Sequence, residues 1–522
     1  MSIDDRPAEV TTRSHGRRLT DLATSRGADV AIHYVPLEVE PWDVTYAQLE
    51  HHANQVARVL RDRGVGPQTL VALGVPSHPD HISIRFGAWK LGACVLPISH
   101  RMPASERQNL IDLADQHFEQ VVSVGEWADG QPPTVAWSDL RELEGVDDAP
   151  LPDVVPEPAH AIASGGTTGT PKITLSPGRG EVAVDEHGEP SVPPGLMEGL
   201  GLHKGHVQMV CTPLYHTSGF GWSLTAITLG NPLVLLEQFQ AELTLDAIER
   251  YRVQHTMYVP AVLQRMLEVP DIDERDLSSY VALNHGGAPC PDWVKRRWID
   301  LVGPENLYEG MGATEAIGAT VIRGDEWLER PGTVGRPLDT EVRILDVDQR
   351  SVRTGMVGYV YMRPVGATEP QFRYLGADYT GVTDDGFVTL GDLGWLDGDG
   401  YLYIADRRVD LIISGGSNVY PAEVENVLGE HPGVREAAVI GIPDERWGRR
   451  VHAVLVPRER GDQALVEKLD AYAREHLTAY KVPKSYEFVD ELPYSDVGKL
   501  RRRPLVEARE HGTIKGEIRP GT

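Results

Sequence analysis

Cysteine is scarce in this sequence, and long apolar runs are lacking. The 522 residues include three cysteines, Cys94, Cys211 and Cys290, which are too few and too scattered for a disulfide framework or a zinc site. No stretch approaches the roughly 18 apolar residues that a membrane-spanning helix needs. Residues 1–18 are polar and lack the apolar core of a secretory signal. We therefore expect a cytoplasmic protein in a reducing compartment.

Basic residues are also few relative to acidic ones. Lys and Arg number 50 against 77 Asp and Glu, which gives a formal net charge of −27 at pH 7. Nucleic acids and anionic membranes bind basic surfaces, so neither is expected as a main partner. The excess of acidic residues is explained most simply by a contribution to solubility. The balance still allows a local basic patch around an anionic ligand.

The order of helical and strand-like segments predicts an α/β fold. From residue 46 to 122, and again from 207 to 281, amphipathic helices alternate with short apolar strands, which is typical of parallel βαβ units. Residues 334–404 change to short strands with Gly and Asp turns, which indicates a small antiparallel unit. Segment 176–194, rich in Gly, Pro, Asp and Glu, is expected to form an exposed loop.

The chain is too long for one hydrophobic core, so at least two domains are expected. After Arg407 the pattern becomes that of a compact α+β unit. We place the boundary near Asp406–Asp410, which gives a large N-terminal domain of residues 1–407 and a small C-terminal domain of residues 408–522.

A glycine-rich loop, Ser164–Lys172, is the most informative segment. Its glycines, hydroxyl side chains and single lysine suit it to holding phosphates. It is not a Walker A loop, because Thr170 and Pro171 separate Lys172 from the preceding glycine. A flexible linker is the alternative, and the strand-like flanks at 161–163 and 173–175 argue against it. The loop is expected to lie between two strands.

Four further segments follow the glycine loop in a fixed order: Gly310–Glu315; Gly391–Gly394 with Asp406–Asp410; Ser414–Glu425; and Gly498–Lys499. Together the five segments resemble the AMP-forming adenylating superfamily of acyl-CoA synthetases, peptide-synthetase adenylation domains and luciferases. The match runs from about residue 45 to 505. Segments 286–291, 319–322 and 406–408 are most similar to bacterial bile-acid and long-chain acyl-CoA ligases.

The resemblance implies a two-step reaction with ATP, Mg²⁺ and CoA. A carboxylate attacks the α-phosphate of ATP to give an acyl-adenylate and pyrophosphate, and the CoA thiol then displaces AMP. The N-terminal domain would hold ATP and the acid, and a mobile C-terminal domain would carry the catalytic lysine. The acyl-pocket positions carry few charges, so we expect a hydrophobic acid of aromatic, alicyclic or fatty character.

Four residues match catalytic positions of the family. Lys499 stands at the position of the catalytic lysine, where an ammonium stabilises charge between the carboxylate and the α-phosphate. Thr314 would donate to the α-phosphate, and Glu315 offers the oxygen ligand that Mg²⁺ prefers. His216 matches a position beside the acyl carboxylate; both a catalytic and a structural role stay open for it.

The resemblance also assigns binding positions. Those for ATP or AMP are Ser164, Gly165, Gly166, Thr167, Thr168, Gly169, Lys172, Gly287, Ala288, Pro289, Gly310, Met311, Gly312, Thr314, Asp392 and Arg407. Those for the acyl pocket are Phe220, Gly221, Trp222, His285, Gly286 and Ile317. Gly415 and Gly416 would line the acceptor tunnel, and Val409 stands at the hinge.

Two positions depart from the family pattern. Met311 replaces the aromatic residue that usually stacks on adenine, so nucleotide affinity or selectivity is expected to differ. Val409 replaces the usual polar hinge residue, and its β-branched side chain stiffens the backbone there.

Two alternatives to a CoA ligase follow. A stand-alone amide synthetase would pass the acyl group from the adenylate to an amine and differ only in its acceptor site. A non-catalytic nucleotide-binding protein is disfavoured, because Lys499, Glu315, Asp392 and Arg407 are all intact.

Overall fold

The computed structural model describes most of the chain. Its described residues are 11–165, 171–175, 180–185, 187–190, 199–377, 379, 381–407, 410–495, 498–510 and 516–520. No helix in these ranges is both long and apolar enough to cross a membrane.

The strands are numbered here in chain order. They are β1 Thr11–Ser14, β2 Val30–Val35, β3 Trp42–Thr45, β4 Thr69–Gly74, β5 Cys94–Pro97, β6 Gln120–Gly125, β7 Val135–Ala136, β8 Ala161–Gly165, β9 Pro171–Leu175, β10 Glu181–Val184, β11 Gln208–Val210, β12 Leu233–Leu236, β13 His255–Tyr258, β14 Ala282–Gly286, β15 Leu307–Gly312, β16 Ala319–Arg323, β17 Arg336–Leu338, β18 Thr340–Leu345, β19 Gly358–Pro364, β20 Arg373–Leu375, β21 Asp392–Leu396, β22 Leu402–Arg407, β23 Ile412–Ser414, β24 Ser417–Val419, β25 Val434–Asp444, β26 Gly448–Pro457 and β27 Ser485–Phe488.

The helices are numbered in the same way. They are α1 His15–Arg26, α2 Tyr46–Asp62, α3 Pro79–Lys90, α4 Ala104–Asp115, α5 Thr217–Leu229, α6 Ala241–Tyr251, α7 Pro260–Leu267, α8 Asp292–Val302, α9 Gly324–Glu329, α10 Pro421–Gly429, α11 Gln463–His476 and α12 Arg502–Glu507.

A nine-stranded sheet forms the centre of the large N-terminal unit. Its strand order is β17-β16-β15-β14-β13-β11-β12-β2-β3. The strands from β15 to β2 in this order run parallel; β3 is antiparallel to β2, and β16 is antiparallel to both of its neighbours, β15 and β17. A parallel strand is covered on both faces, and this is why β12 is a continuous apolar run with every residue buried. The βαβ units expected from residues 207–281 are confirmed.

A second parallel sheet, of order β5-β4-β6-β7, comes from the first βαβ region. The helix α3 is almost completely buried, and one hydrophobic core joins side chains of α1, α2, α3 and α5 to both sheets. Since α5 shares this core, one of its faces is fixed by packing and the other remains for the site.

Three smaller sheets complete the N-terminal unit, one of which is the two-stranded sheet of β1 and β10. Strands β18, β19, β21 and β22 form the antiparallel unit expected from residues 334–404. Strands β8 and β9 are antiparallel neighbours in a three-stranded sheet with β20, so the predicted strands on either side of the glycine loop are confirmed.

The expectation that residues 176–194 form an exposed loop throughout is wrong for β10. This strand pairs in antiparallel register with β1, and its last residue, Val184, is buried. The alternation of Glu181–Val184 provides the β-branched side chains that such a pairing favours. The strand was hidden in the sequence because the residues around it are typical of turns.

The C-terminal unit is a separate α+β body. Strands β24, β23, β26 and β25 form a mostly antiparallel sheet to which β27 adds in parallel, with α10, α11 and α12 packed on it. The overall class expected from the sequence, a large α/β region followed by a small α+β unit, is confirmed. The boundary at 407/408 stays a prediction.

A buried ion pair fixes β15, the strand that leads into the site, to α8. Lys295 Nζ lies 2.6 Å from Glu309 Oε2, and the two side chains are only 4% and 9% exposed. The same ammonium lies 4.2 Å from the centre of the Trp327 ring. Such a pair contributes little net stability, but removing one partner leaves a charge buried without compensation.

We expect Lys295→Met to destabilise the N-terminal unit by about 3–5 kcal/mol, because Glu309 loses its partner. The double variant Lys295→Met/Glu309→Gln removes both charges and should recover most of the loss. Thermal melting of the three proteins measures this. A Lys295→Met protein that melts with the parent would show that the pair does not hold β15.

Candidate active site

The site is built at one edge of the central sheet. The parallel strands β11, β13, β14 and β15 all end there, and the segments that follow them carry most of the predicted site residues. Ligands of open α/β sheets bind at the carboxyl ends of the strands. The parallel topology therefore brings together residues that lie far apart along the chain.

Lys499 reaches this edge from the C-terminal unit. A Cβ atom built on Gly287, the residue after β14, would lie 3.7 Å from Lys499 Cε and 3.9 Å from its Nζ. Gly287 has a φ of +79°, which favours glycine. Lys499 is presented by a closed turn, in which its N–H donates to Ser495 Oγ and its carbonyl accepts from Ser495 N. The predicted catalytic lysine thus lies beside a predicted nucleotide-binding residue.

Glu315 is the centre of a second cluster at the same edge. Lys172 Nζ lies 3.3 Å from Glu315 Oε1, and the Tyr374 hydroxyl donates to the same oxygen. Lys172 also lies over the Tyr374 ring, 3.8 Å from its centre. A tight turn presents the glutamate: Ala316 N donates to Ala313 O, and Ala316 has a φ of +50°. Tyr374 was not predicted, because no sequence pattern ties β20 to this turn.

Thr314 lies beside the N-terminus of α5, next to which His216 stands. Thr217 Oγ1 and Thr314 Oγ1 lie 2.8 Å apart, within hydrogen-bonding distance. His216 is the residue before Thr217 and caps the helix N-terminus. The structure thus brings the predicted phosphate contact Thr314 to within one residue of His216, and both roles of His216 stay predictions.

Asp392 and Arg407, predicted to bind ribose and phosphate, are partners in the β21–β22 ladder. Their backbones are therefore adjacent. Only the backbone of Arg407 is described, as is the case for Ser164 and Gly165 in β8. The positions Gly166, Thr167, Thr168, Gly169 and Val409 lie outside the described residues.

The remaining nucleotide positions lie on two neighbouring segments. Gly287–Pro289 connects β14 to α8, and Gly310–Gly312 ends β15. Gly286 and Gly310 are register partners, so these segments run side by side. Met311, which stands where the family usually has an aromatic residue, is half-buried against the core of the antiparallel unit.

One sheet face opposite α5 is rich in glycine. Asn284 and Gly286 lie on the same face of β14, and Gly310 and Gly312 lie on one face of β15, because side chains alternate along a strand. Among the described residues, a Cβ on Gly312 would meet no atom within 4 Å, and one on Gly310 none closer than 3.9 Å. This face therefore has room beside it.

Helix α5 provides the opposing wall. A Cβ on Gly221 would also meet nothing within 4 Å. Trp222 packs on His255 of β13 at a ring distance of 5.1 Å, and His255 Nε2 lies 3.2 Å from Asn284 Nδ2. We call the space between α5 and the glycine-rich face of β14 and β15 the acyl slot.

Three of the predicted acyl-pocket side chains are packed away from this slot. Phe220 is 1% exposed and lies in the core with Trp89. Ile317 packs in the core of the antiparallel unit. His285 is buried on the other face of β14 from Asn284, and its burial, with the charge of Lys295, holds its pKa well below the usual value. Gly221 and Trp222 border the slot, whereas Gly286 is packed against β15: a Cβ there would lie 2.1 Å from Gly310 O.

The proposed acceptor glycines lie in the turn between β23 and β24. Gly415 has a φ of +58°, and a Cβ there would lie 2.9 Å from the Trp447 ring. Nothing lies within 4 Å of a Cβ on Gly416. Two arginines on the same unit are already paired, Arg449 with Glu510 and Arg450 with Glu517. Among the described residues, the surface beside Gly416 is therefore open.

Comparison with known proteins agrees with this geometry. A family model described as "AMP-binding enzyme" matches residues 20–369, and one described as "AMP-binding enzyme C-terminal domain" matches residues 423–499. The chain belongs to the AMP-binding enzyme family. It is an AMP-forming carboxylate ligase, as its motifs predict.

The relatives include ligases with different acceptors. Feruloyl-CoA synthase of Amycolatopsis sp is 33% identical over 486 residues, which cover 91% of this chain and 93% of the relative. The o-succinylbenzoate CoA synthetase of Bacillus subtilis, solved with its acyl-adenylate intermediate, has a TM-score of 0.78 at 25% identity and covers 98% of this chain and 100% of its own. An amide bond synthetase from Marinactinospora thermotolerans has a TM-score of 0.74 at 26% identity, covering 94% and 98%.

We expect Lys499→Ala to lower pyrophosphate release by roughly 100-fold or more, since the lost ammonium acts mainly in the transition state. ATP binding and the melting temperature should change little. Arg503→Ala, which removes an exposed cation from the same unit, is the matched control. Equal pyrophosphate release by the Lys499→Ala variant and the control would refute the catalytic assignment.

Proposed function

We propose that this ligase activates a bulky hydrophobic carboxylic acid, aromatic in the first instance, and transfers the acyl group to CoA. The observation that carries the proposal is the position of Lys499, which the C-terminal unit places beside Gly287 at the carboxyl edge of the sheet. At that edge an ammonium lies close to the segments predicted to hold the nucleotide.

In the first step, an oxygen of the acid attacks the α-phosphorus of ATP. The new O–P bond forms while the bond from the α-phosphorus to the pyrophosphate oxygen breaks. Lys499 would stabilise the charge that develops between the carboxylate and the phosphate. Thr314 would donate a hydrogen bond to the α-phosphate. The ammonium of Lys172 would interact with the β- and γ-phosphates.

Glu315 fits the requirement for a magnesium ligand. It is a carboxylate at the phosphate edge, and hard oxygen donors together with phosphate oxygens are what Mg²⁺ prefers. Bound there, the cation would neutralise phosphate charge. Asp392 is the candidate acceptor for the ribose hydroxyls.

The acyl slot supports a hydrophobic acid. Its walls are Trp222 and Gly221 on α5 and the glycine-rich face of β14 and β15, all uncharged. Apolar walls with few polar groups are typical of pockets that bind apolar ligands. The name of the 33% identical relative, feruloyl-CoA synthase, supports an aromatic acid in particular.

Gly221→Leu should narrow the slot. We expect it to lower kcat/KM for a bulky aromatic acid at least about tenfold, because a side chain would enter space that the acid needs, while the KM for ATP stays within about twofold. Gly429→Leu is the control, since a Cβ on that helical glycine also meets nothing within 4 Å. A Gly221→Leu enzyme with unchanged acid preference contradicts the slot.

CoA is favoured as the acceptor by the relatives named as CoA ligases and by the space at Gly416. The amide bond synthetase at 26% identity favours an amine instead, and this is the second candidate function. The two functions share the first step and differ in the nucleophile that displaces AMP.

A single assay separates the two functions. Pyrophosphate and AMP release are measured across a panel of carboxylic acids, with CoA, with amines and with neither, and the products are identified by mass. We expect acid-dependent pyrophosphate release in all three conditions and AMP release that saturates with CoA, giving a thioester. Amide formation at modest amine concentration with no thioester would replace the CoA ligase by an amide synthetase.

A further inference from the structure

Tyr374 touches both charged groups of the Glu315 cluster. It lies on β20, which is antiparallel to β9, the strand that carries Lys172. Its hydroxyl donates to Glu315 Oε1, and its ring lies under the Lys172 ammonium at 3.8 Å. With the 3.3 Å contact between Lys172 and Glu315, the three side chains form a closed triangle.

Both contacts to the glutamate converge on one oxygen. Lys172 and Tyr374 reach Oε1, and no hydrogen bond from the described part of the chain reaches Oε2. Two donors at one oxygen anchor that oxygen and leave the lone pairs of the second oxygen for another ligand. The arrangement suits a carboxylate that receives a divalent cation at Oε2.

The two donors differ in what they do to the charge. Lys172 cancels the negative charge of Glu315 while it remains there, whereas the Tyr374 hydroxyl is neutral and leaves that charge in place. A hydroxyl bond to an ionised carboxylate is also among the stronger hydrogen bonds. Tyr374 can therefore continue to hold Oε1 when Lys172 turns to a phosphate.

Packing fixes the tyrosine ring. Its centre lies 5.0 Å from that of Phe372 and 5.6 Å from that of Tyr379, and the ring is nearly perpendicular to Tyr379. Edge-to-face contacts of this kind favour one ring orientation. The Tyr379 hydroxyl, by contrast, donates to the backbone carbonyl of Thr389 and does not touch the cluster.

We infer that Tyr374 is a positioning residue of the magnesium site: its hydroxyl holds Oε1 of Glu315 so that Oε2 faces the cation, and its ring holds Lys172 nearby. This rests on the proposed role of Glu315 as the magnesium ligand. Residues that orient a metal ligand from behind typically change metal affinity by 10–100-fold when they are replaced.

The test compares Tyr374→Phe with Tyr379→Phe, which removes a hydroxyl from the neighbouring ring. Binding of Mn²⁺ in the presence of α,β-methylene-ATP is followed by electron paramagnetic resonance, together with the Mg²⁺ concentration for half-maximal pyrophosphate release. We expect Tyr374→Phe to weaken Mn²⁺ binding roughly tenfold and to raise the Mg²⁺ requirement similarly. The KM for the acid and the melting temperature should stay near those of the parent, and Tyr379→Phe should bind Mn²⁺ as the parent does.

Glu315→Gln separates this inference from the proposed function. If Glu315→Gln loses Mn²⁺ affinity and Tyr374→Phe keeps it, the role of Tyr374 is overturned and that of Glu315 stands. If Glu315→Gln binds Mn²⁺ as the parent does, the magnesium assignment itself fails, and the inference fails with it. An equal loss in Tyr374→Phe and Tyr379→Phe would show a general effect of the aromatic cluster and would also overturn the inference.

Discussion

The approach of Lys499 to Gly287 is the contact on which the proposed chemistry depends. It involves Gly287, the residue after β14, whose φ of +79° favours glycine; a Cβ there would make only ordinary van der Waals contact with Lys499 Cε, at 3.7 Å. It also requires that β14 be held rigidly, and the central sheet meets this need, since every residue of β14 is buried. Packing within the sheet therefore fixes Gly287, beside which the proposed catalytic ammonium lies, in the way that preorganised sites require.

Electrostatics acts over short distances in this protein. The chain carries a net charge of −27, which by itself repels a nucleoside triphosphate such as ATP. Exposed charges farther than about 8 Å from each other are largely screened at physiological salt, so the local groups decide the binding. Lys172 and Lys499 both lie at the carboxyl edge, and Lys172 is balanced by Glu315. An acidic protein can thus bind an anionic ligand through a few well-placed cations.

The sequence predicted the architecture better than the side-chain directions. The alternation of helical segments with short apolar runs predicted the parallel strands. A continuous apolar run such as Leu233–Leu236 is typical of a strand that is buried on both faces. The motifs correctly led to the family, and the topology brings Lys499 beside Gly287. A position within a motif does not determine which face a side chain takes: Phe220 packs into a core, whereas Gly221, one residue farther along, borders the slot.

Contacts between residues of different sheets could not be predicted from the sequence, for another reason. Tyr374 meets Glu315 only because β20 pairs with β9, and the pairing of distant strands leaves no periodic signal in either segment. The strand β10 was missed in the same way, since its partner β1 is close to the other end of the N-terminal unit. Both misses concern antiparallel pairs between strands that are far apart along the chain.

Part of the boundary between the two units is an open groove. It has a volume of about 530 Å³ and is lined by Arg265 and Glu268 on one side and by Arg435 and Glu436 on the other. Gln264 Nε2 crosses the interface to donate to the Arg435 carbonyl. Polar interfaces of this kind permit relative motion of domains.

The groove between the two units bears on how the second step of the proposed reaction could follow the first. Lys499 lies beside Gly287, on the side of the site that faces the C-terminal unit. An acceptor that has to reach the acyl carbonyl from that side needs the lysine to withdraw. Because the lysine is attached to a unit held across a polar, incompletely filled interface, withdrawal disturbs little of the buried core. A tightly packed apolar interface would fix Lys499 more firmly and, for the same reason, would oppose the second half of the reaction.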